Sequence, residues 1–309
     1  MSEKKFCFRG AVVVVLQWCS LTLPLVGCGG GDTAERSAVS TGAAATTAAK
    51  QAEPEAGAIA VTPQELRRRL NCYQAEFQMQ GTEIVEATLF QTGIRDISAL
   101  RGLPLRALDL GMTQVTDLSP LQGMQLERLD LENAPVTDLS VLRGMPLTVL
   151  KLQKTKVVDF AVLQQLRLQQ LNVLDLPFGD KDLQYLSQSP LETIWLAGTE
   201  VTDISSLPLA KLQSLDIERT AVSSLAALAG CPQLLRLNIA ESQVSDLTPL
   251  QGLRLQRVTL SPERITAGME LLRGMSSLKQ IQTSISEPMS AADFWKRYDL
   301  GVYKPQEGR

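Results

Sequence analysis

Six aspartates recur along the chain at one or two multiples of about 21–22 residues: Asp96, Asp117, Asp138, Asp159, Asp203 and Asp246. Carboxylates in a regular series suggest either a calcium site or a set of caps on backbone N–H groups. A calcium ion needs six or more oxygens converging on one point. These aspartates occur once per repeat, each just before a Ser-Pro-Leu-like segment, so capping is the expected role. Other reactive types are scarce. The 309 residues include no histidine, which excludes Ser-His-Asp and Cys-His pairs, histidine-bearing metal sites and the commonest general base. There is no Cys-x-x-Cys and no phosphate-cradling glycine motif. No catalytic residue, metal ligand or cofactor is expected.

The elements that position the aspartates are legible in the leucines. One segment runs LRALDLGMTQVTDLSPLQGMQ from Leu105 to Gln125, and the next LERLDLENAPVTDLSVLRGMP from Leu126 to Pro146. Opening leucines fall at Leu105, Leu126, Leu147, Leu168, Leu191, Leu212, Leu234, Leu255 and Leu278, at intervals of 21, 21, 21, 23, 21, 22, 21 and 23. A unit of this length opening L-x-x-L-x-L marks a leucine-rich repeat. One unit cannot bury its leucines alone, so stacked copies share a core and present one long surface. The expected fold is α/β: a right-handed solenoid with a parallel sheet on its concave face and helical caps at both ends.

Each L-x-L core predicts a short strand with leucines inward and the residues between them outward. In the fourth coil Leu171-Asn172-Val173 and Leu174-Asp175-Leu176 compete. The second fits the following GDKDLQYL better and is adopted, with Leu171 as the opening leucine. The turn row Thr113, Ala134, Thr155, Thr199, Thr220 and Ser242 stands where many repeats carry an asparagine that bonds the next coil. Ser119 is placed to cap a helical turn that Pro120 starts. Gly102, Gly123, Gly144, Gly230, Gly252 and Gly274 are expected to end the convex segments at positive φ.

The candidate binding surface is the outward strand row. Its central column is Asp109, Asp130, Lys151, Asp175, Trp195, Asp216, Asn238 and Thr259. The next is Gly111, Glu132, Gln153, Pro177, Ala197, Glu218, Ala240 and Ser261, and the preceding column supplies Arg128, Arg236 and Arg257. Trp195 stands out, because an outward tryptophan is favoured in binding hot spots. Phe178 or Thr193 could instead shield it. The predicted contact set is Trp195, Asp130, Lys151, Asp175, Asp216, Glu132, Glu218, Arg128 and Arg236. Acidic residues there suit a solvated face or a basic, amine-bearing partner.

At the N-terminus Lys4, Lys5 and Arg9 precede the mostly apolar Gly10–Leu25, as in a secretory signal. Leu25-Val26-Gly27-Cys28 then resembles a bacterial lipobox, in which the cysteine takes a diacylglycerol and becomes the new N-terminus. Cys19 is a poorer candidate because bulky Trp18 precedes it. Two or three acyl chains would anchor the protein stably. Gly29–Ala60 has no aromatics and almost no large aliphatics and reads as a flexible tether, with a reach of roughly 30 Å.

The chain carries a net −3, and removing the first 27 residues, which sum to +2, leaves −5. Nothing in that balance suggests nucleic-acid binding. Of the five cysteines, Cys72 and Cys231 remain as two buried thiols too far apart in sequence for an expected bridge.

The expected division is 1–27 signal peptide, 28–60 lipidated cysteine and tether, 61–303 repeat domain and 304–309 tail, with caps near 61–90 and 284–303. Thr62-Pro63-Gln64-Glu65 is a capping box opening a helix to about Cys72. Glu83–Phe90 is a first strand. Ser290-Ala291-Ala292-Asp293 opens a helix whose Phe294, Trp295 and Tyr298 either cover the last coil or form an aromatic docking site.

The VTDLSPLxGMPL copies and the closing AADFWKRYD resemble the leucine-rich-repeat proteins abundant in planctomycete bacteria. Some of those follow kinase domains, but this chain has no kinase glycine loop, H-R-D or D-F-G. The repeats are also similar to the internalin type, a likeness of fold alone. The function expected is an envelope lipoprotein, on the periplasmic side or outer membrane, that binds a protein on its concave face. A glycan or cell-wall binder, and a structural envelope role, are the alternatives.

Overall fold

The computed structural model describes residues 61–283 and 288–303. The expected signal segment, Cys28, the tether and the 304–309 tail lie outside the described residues. Twelve strands form one sheet in chain order: β1 (Glu76–Gln80), β2 (Glu83–Thr88), β3 (Ala107–Asp109), β4 (Arg128–Asp130), β5 (Val149–Lys151), β6 (Gln170–Asn172), β7 (Thr193–Trp195), β8 (Ser214–Asp216), β9 (Arg236–Asn238), β10 (Arg257–Leu260), β11 (Gln280–Thr283) and β12 (Met289–Ser290). Each neighbouring pair from β2 to β11 is parallel, and β1 and β12 add antiparallel at the two ends. The coils thus stack as a leucine-rich-repeat solenoid.

The register aligns Leu108, Leu129, Leu150, Leu171, Ile194, Leu215, Leu237, Val258 and Ile281 in one inward row. All are buried, as are the opening leucines. This settles the fourth coil differently from the sequence expectation. Its strand centres on Leu171, which pairs with Leu150 and Ile194. Leu168 opens the coil and is fully buried. The spacing of 21 is therefore kept up to the strand, and the two extra residues fall behind it. There Phe178 turns into the core against Phe160, ring centroids 4.9 Å apart. The helical turn is also lengthened, to a short helix at Asp180–Leu183 followed by a 3-10 turn at Gln184–Leu186. Five-residue convex turns also occur in the 22- and 23-residue coils, at Ala226–Gly230 and Met269–Arg273, and in the 21-residue coil from Leu147, at Ala161–Gln165. Insertions go where they leave the sheet register intact.

The recurring aspartates are caps. Oδ1 of Asp96, Asp117, Asp138, Asp159, Asp203 and Asp246 accepts the backbone N–H two residues on, at 2.7–3.0 Å. Ser119 does not cap its own turn; its hydroxyl donates to Asp117 Oδ2 at 2.9 Å. The turn-row hydroxyls of Thr113, Thr155, Thr199, Thr220 and Ser242 donate to the carbonyl three residues back in their own coil, at 2.6–2.7 Å, and not to the next coil. Hydroxyls elsewhere do span the coil spacing, as when Ser261 Oγ accepts the Glu241 N–H at 3.0 Å. Ala134 and Leu176 fill the same row with buried apolar groups. Of the six convex glycines, Gly102, Gly123, Gly144 and Gly252 have φ of 73–86°. Gly230 and Gly274 end longer helical turns and do not take positive φ.

At the N-terminal end Thr62 Oγ1 accepts the Glu65 N–H at 3.2 Å and caps the helix Pro63–Arg69. The β1–β2 hairpin follows, and β1 is an element the sequence did not announce. At the other end Ser290 Oγ accepts the Asp293 N–H at 3.1 Å, capping Ala291–Asp299. Phe294 is fully buried beneath Trp295, Tyr298 and Tyr303, at centroid distances of 4.9, 6.0 and 5.1 Å. The Arg273 guanidinium lies 4.7 Å from the Trp295 ring centre and 2.5 Å from Asp299, so these aromatics close the last coil. Cys72 and Cys231 are buried free thiols; burial pushes Cys231 up to about 11.

The concave sheet face as candidate binding surface

Along the centre of the sheet the outward column is Thr88, Asp109, Asp130, Lys151, Asn172, Trp195, Asp216, Asn238 and Thr259. Most of it has a local structural task. One side-chain oxygen of Asp109, Asp130, Asn172, Asp216 and Asn238 accepts the backbone N–H two residues later, at 2.8–3.1 Å. These bonds close the turn that leaves each strand. Lys151 and Trp195 cannot make them, since an ammonium and an indole offer donors only.

The predicted residues divide accordingly. Asp130 is only 9% exposed, and its second oxygen accepts from Lys151 Nζ at 2.7 Å. Arg128 reaches Glu86 at 2.5 Å, two coils away, over Ala107. Glu218 accepts from Asn238 Nδ2 at 2.9 Å and has Arg219 at 3.8 Å. Glu132 and Asp216 are half-buried on the face, and Arg236 is exposed at the start of β9. Trp195 is half-buried, so its neighbours cover it only in part. Phe178 is fully buried and takes no part in the surface, leaving Trp195 without a second aromatic from that coil.

Asp175 is not in the central column. The register moves it to an exposed rim beside the sheet, just as it replaces Pro177 by Leu174 in the second column. The rim was not foreseen. Gln91, Met112, Asn133, Lys154, Asp175, Gly198, Arg219 and Glu241 follow one another there with φ of 53–67°. A left-handed backbone costs a non-glycine residue about 1–2 kcal/mol. It is held because the rim N–H groups of Asp175 and Arg219, for example, bond the next coil's carbonyls at 2.9 and 3.0 Å. Apart from Gly198, all of these side chains are exposed. The rim therefore contributes more accessible side chain than the central column does.

Around Trp195 the surface is unusual in shape. Ala197 and Gly198 follow it, with half-buried Leu174 and Glu218 in the flanking coils. Arg219 Nη2 bridges to Asp175 Oδ1 at 3.0 Å across Gly198. The tryptophan thus stands beside a stretch with almost no side chains, bounded by an ion pair. Gln153, buried in the second column, keeps its Oε1 without a hydrogen-bond partner.

Burial dominates the electrostatics. It raises both Asp109 and Asp216 to about 6, against the opposing N–H groups of Gly111 and Glu218, and nearby Asp130 adds to the effect at Asp109. A groove of about 540 Å³ also opens beside the first coils, lined by residues such as Leu103, Pro104, Arg106, Met124 and Pro146. Its lining includes none of the predicted contact residues.

No protein-family model matches the chain, and no curated protein does. Among solved structures, an internalin from Listeria monocytogenes is similar at 26% identity, with 62% of this chain and 66% of its own covered and a TM-score of 0.49. The chain thus spans just under two thirds of that protein. Internalin C2 of the same species is 21% identical over 65% of this chain and 92% of its own, with a TM-score of 0.40. A leucine-rich-repeat protein of Leptospira interrogans is 15% identical over 68% and 61%, with a TM-score of 0.41.

Proposed function

We propose that this chain is a bacterial envelope protein, anchored by lipid on Cys28, that holds a protein partner on the concave face of its solenoid. The observation that carries the reading is Trp195. Its column is otherwise given mainly to carboxylates and amides that close strand ends. The indole cannot replace them, is not buried in the core, and leaves its coil without that bond. A large apolar ring kept partly wet beside Ala197 and Gly198 has the form of an anchor that a partner covers. The acidic residues around it favour a partner with basic side chains, through which encounter would be steered. The signal-like N-terminus and the Leu25–Cys28 motif support export and anchoring.

The test is photo-crosslinking in intact cells with Glu132→benzoylphenylalanine on the face and Val158→benzoylphenylalanine outside the sheet. The account expects a discrete protein adduct from position 132 and none of that mass from 158. Adducts from 158 alone would move the interface off the concave face.

A further inference from the structure

We propose that two copies of this chain pair antiparallel through β1, joining their sheets across a two-fold axis at Gln78. β1 ends the sheet, and β2 is the strand it pairs with. Its residues Glu76-Phe77-Gln78-Met79-Gln80 are exposed except for Phe77, which is half-buried. A sheet edge presents a row of backbone N–H and C=O groups, and natural edges are commonly blunted by lysine, proline, an inward charge or a bulge in the edge strand. None of the first three is present in Glu76–Gln80. The hairpin does contain a bulge, but Gln78 pairs with Glu86 and Met79 with Ile84, so the extra residue is Val85 on β2 and β1 itself runs without an insertion.

The two ends of the solenoid are covered differently, although the C-terminal end also leaves Leu300 and Val302 exposed. The C-terminal end is closed by buried Phe294 and its aromatic neighbours. The N-terminal end leaves Tyr73 77% and Met79 43% exposed. Terminal repeats need a polar outer face to stay apart. Phe77 and Met79 pair with Ala87 and Ile84, both buried, so they continue the inward apolar row of the sheet. Arg67 lies 5.5 Å from the Phe77 ring centre, which covers part of it. Among the described residues Met79 has no such cover and is 43% exposed.

A second copy of this chain is the occupant that the strand's own pattern selects. An antiparallel pair centred on Gln78 sets Phe77 opposite Met79 of the other copy on both sides of the axis, a sulfur–aromatic contact made twice. It sets Glu76 opposite Gln80, and Gln78 opposite itself. A parallel pair would place Glu76 against Glu76, a like-charge clash. The polar-apolar-polar-apolar-polar order matches itself in either sense, but only the antiparallel sense keeps Glu76 away from its own copy, and that is the symmetry an isologous dimer requires. One strand pair buries less than a standard interface of about 1,200–2,000 Å², so the dimer is expected to be concentration-dependent.

The experiment is native mass spectrometry of the detergent-solubilised full chain over a concentration series, with charge pairing at the axis. Wild type should give a growing dimer at twice the mass of the monomer in the same spectra. Gln78→Lys and Gln78→Glu each set like charges on the axis, and each should lower the dimer fraction several-fold. Mixing the two, one isotope-labelled, should restore a dimer made of one chain of each kind. Both substitutions are on an exposed position, and recovery in the mixture shows that each chain is folded. The proposal is overturned if wild type stays monomeric throughout, if either variant dimerises as well as wild type, or if the mixture gives no preference for the mixed pair.

Discussion

Arg219 Nη2 lies 3.0 Å from Asp175 Oδ1, although the two residues belong to coils separated by a whole repeat. The coil between them contributes Gly198, which has φ of 67°; a Cβ there would collide with Asp175 Oδ1 and crowd the Arg219 guanidinium. The pair exists because the rim is left-handed and because the middle residue has no side chain. Gly198→Ala therefore has two costs. The backbone penalty is about 1–2 kcal/mol, and the ion pair must open, which at this exposure adds only about 0.5 kcal/mol. Denaturant titration should give a loss near that sum. In an Arg219→Ala background the same substitution should cost less, because there is no pair left to open. Equal costs in both backgrounds would show that the pair and the glycine are not coupled.

The register of the fourth coil is tested by two leucines that the sequence treated as near-equivalent. Leu171 is fully buried and Leu174 is half-buried on the concave face. Leu171→Ala should destabilise by about 3–5 kcal/mol and Leu174→Ala by less than about 1.5 kcal/mol. Thermal or denaturant unfolding of the two variants decides it. The reverse order would restore the strand at Leu174-Asp175-Leu176.

Asp109 and Asp216 are raised to about 6 in the fold, above the ordinary carboxylate value of 3.8. In that window the folded protein holds more protons than the unfolded chain, so their contribution to stability falls as pH rises from about 4 to about 6. Exposed carboxylates such as Asp96 and Asp138, lowered by the Ser98 and Ser140 N–H groups, act in the opposite sense, their stabilisation being lost as pH falls through their depressed values. Asp216→Asn isolates the first effect, because asparagine keeps the acceptor that Asn172 and Asn238 already use in that column. It should raise stability at pH 7 by about 1–2 kcal/mol and leave it nearly unchanged at pH 4. Unfolding curves at the two pH values check the sign; destabilisation at pH 7 would mean that the ionised carboxylate is needed there.

The proposed lipid anchor rests on one thiol, that of Cys28. Metabolic labelling with a fatty-acid analogue should mark the wild-type chain and the Cys19→Ala variant, and should be lost in Cys28→Ala. Labelling that survives Cys28→Ala would remove the anchor from the account.

The sequence revealed those parts of the fold that repeat in step with the core. Opening leucines at intervals of 21–23 are a direct imprint of the stacked core, and Asp117 or Asp138 before a Ser-x-Leu turn carries its capping chemistry on its face. The fourth coil was misjudged because Leu171-Asn172-Val173 and Leu174-Asp175-Leu176 are equally good strands in isolation. Only pairing with Leu150 and Ile194 separates them. The rim was invisible because Met112, Lys154, Asp175 and Arg219 share no residue type, their left-handed φ being imposed by the next coil's carbonyls. The Arg219–Asp175 and Arg128–Glu86 pairs join residues 44 and 42 positions apart, each over a small residue, and no local pattern announces such a reach. Trp195 does face outward, but Phe178 is not beside it on the surface to shield it, since the added length of that coil turns Phe178 into the core.

The most direct measurement is quantitative affinity capture from envelope extract with the full chain, comparing wild type, Trp195→Ala with Asp130→Lys, and Val158→Ser as an exposed control outside the sheet. The account predicts a protein retained by wild type and Val158→Ser and reduced at least about tenfold with the concave-face variant, the loss expected when an anchoring tryptophan is truncated. Equal retention by all three baits, with the variant shown to be folded, would contradict it.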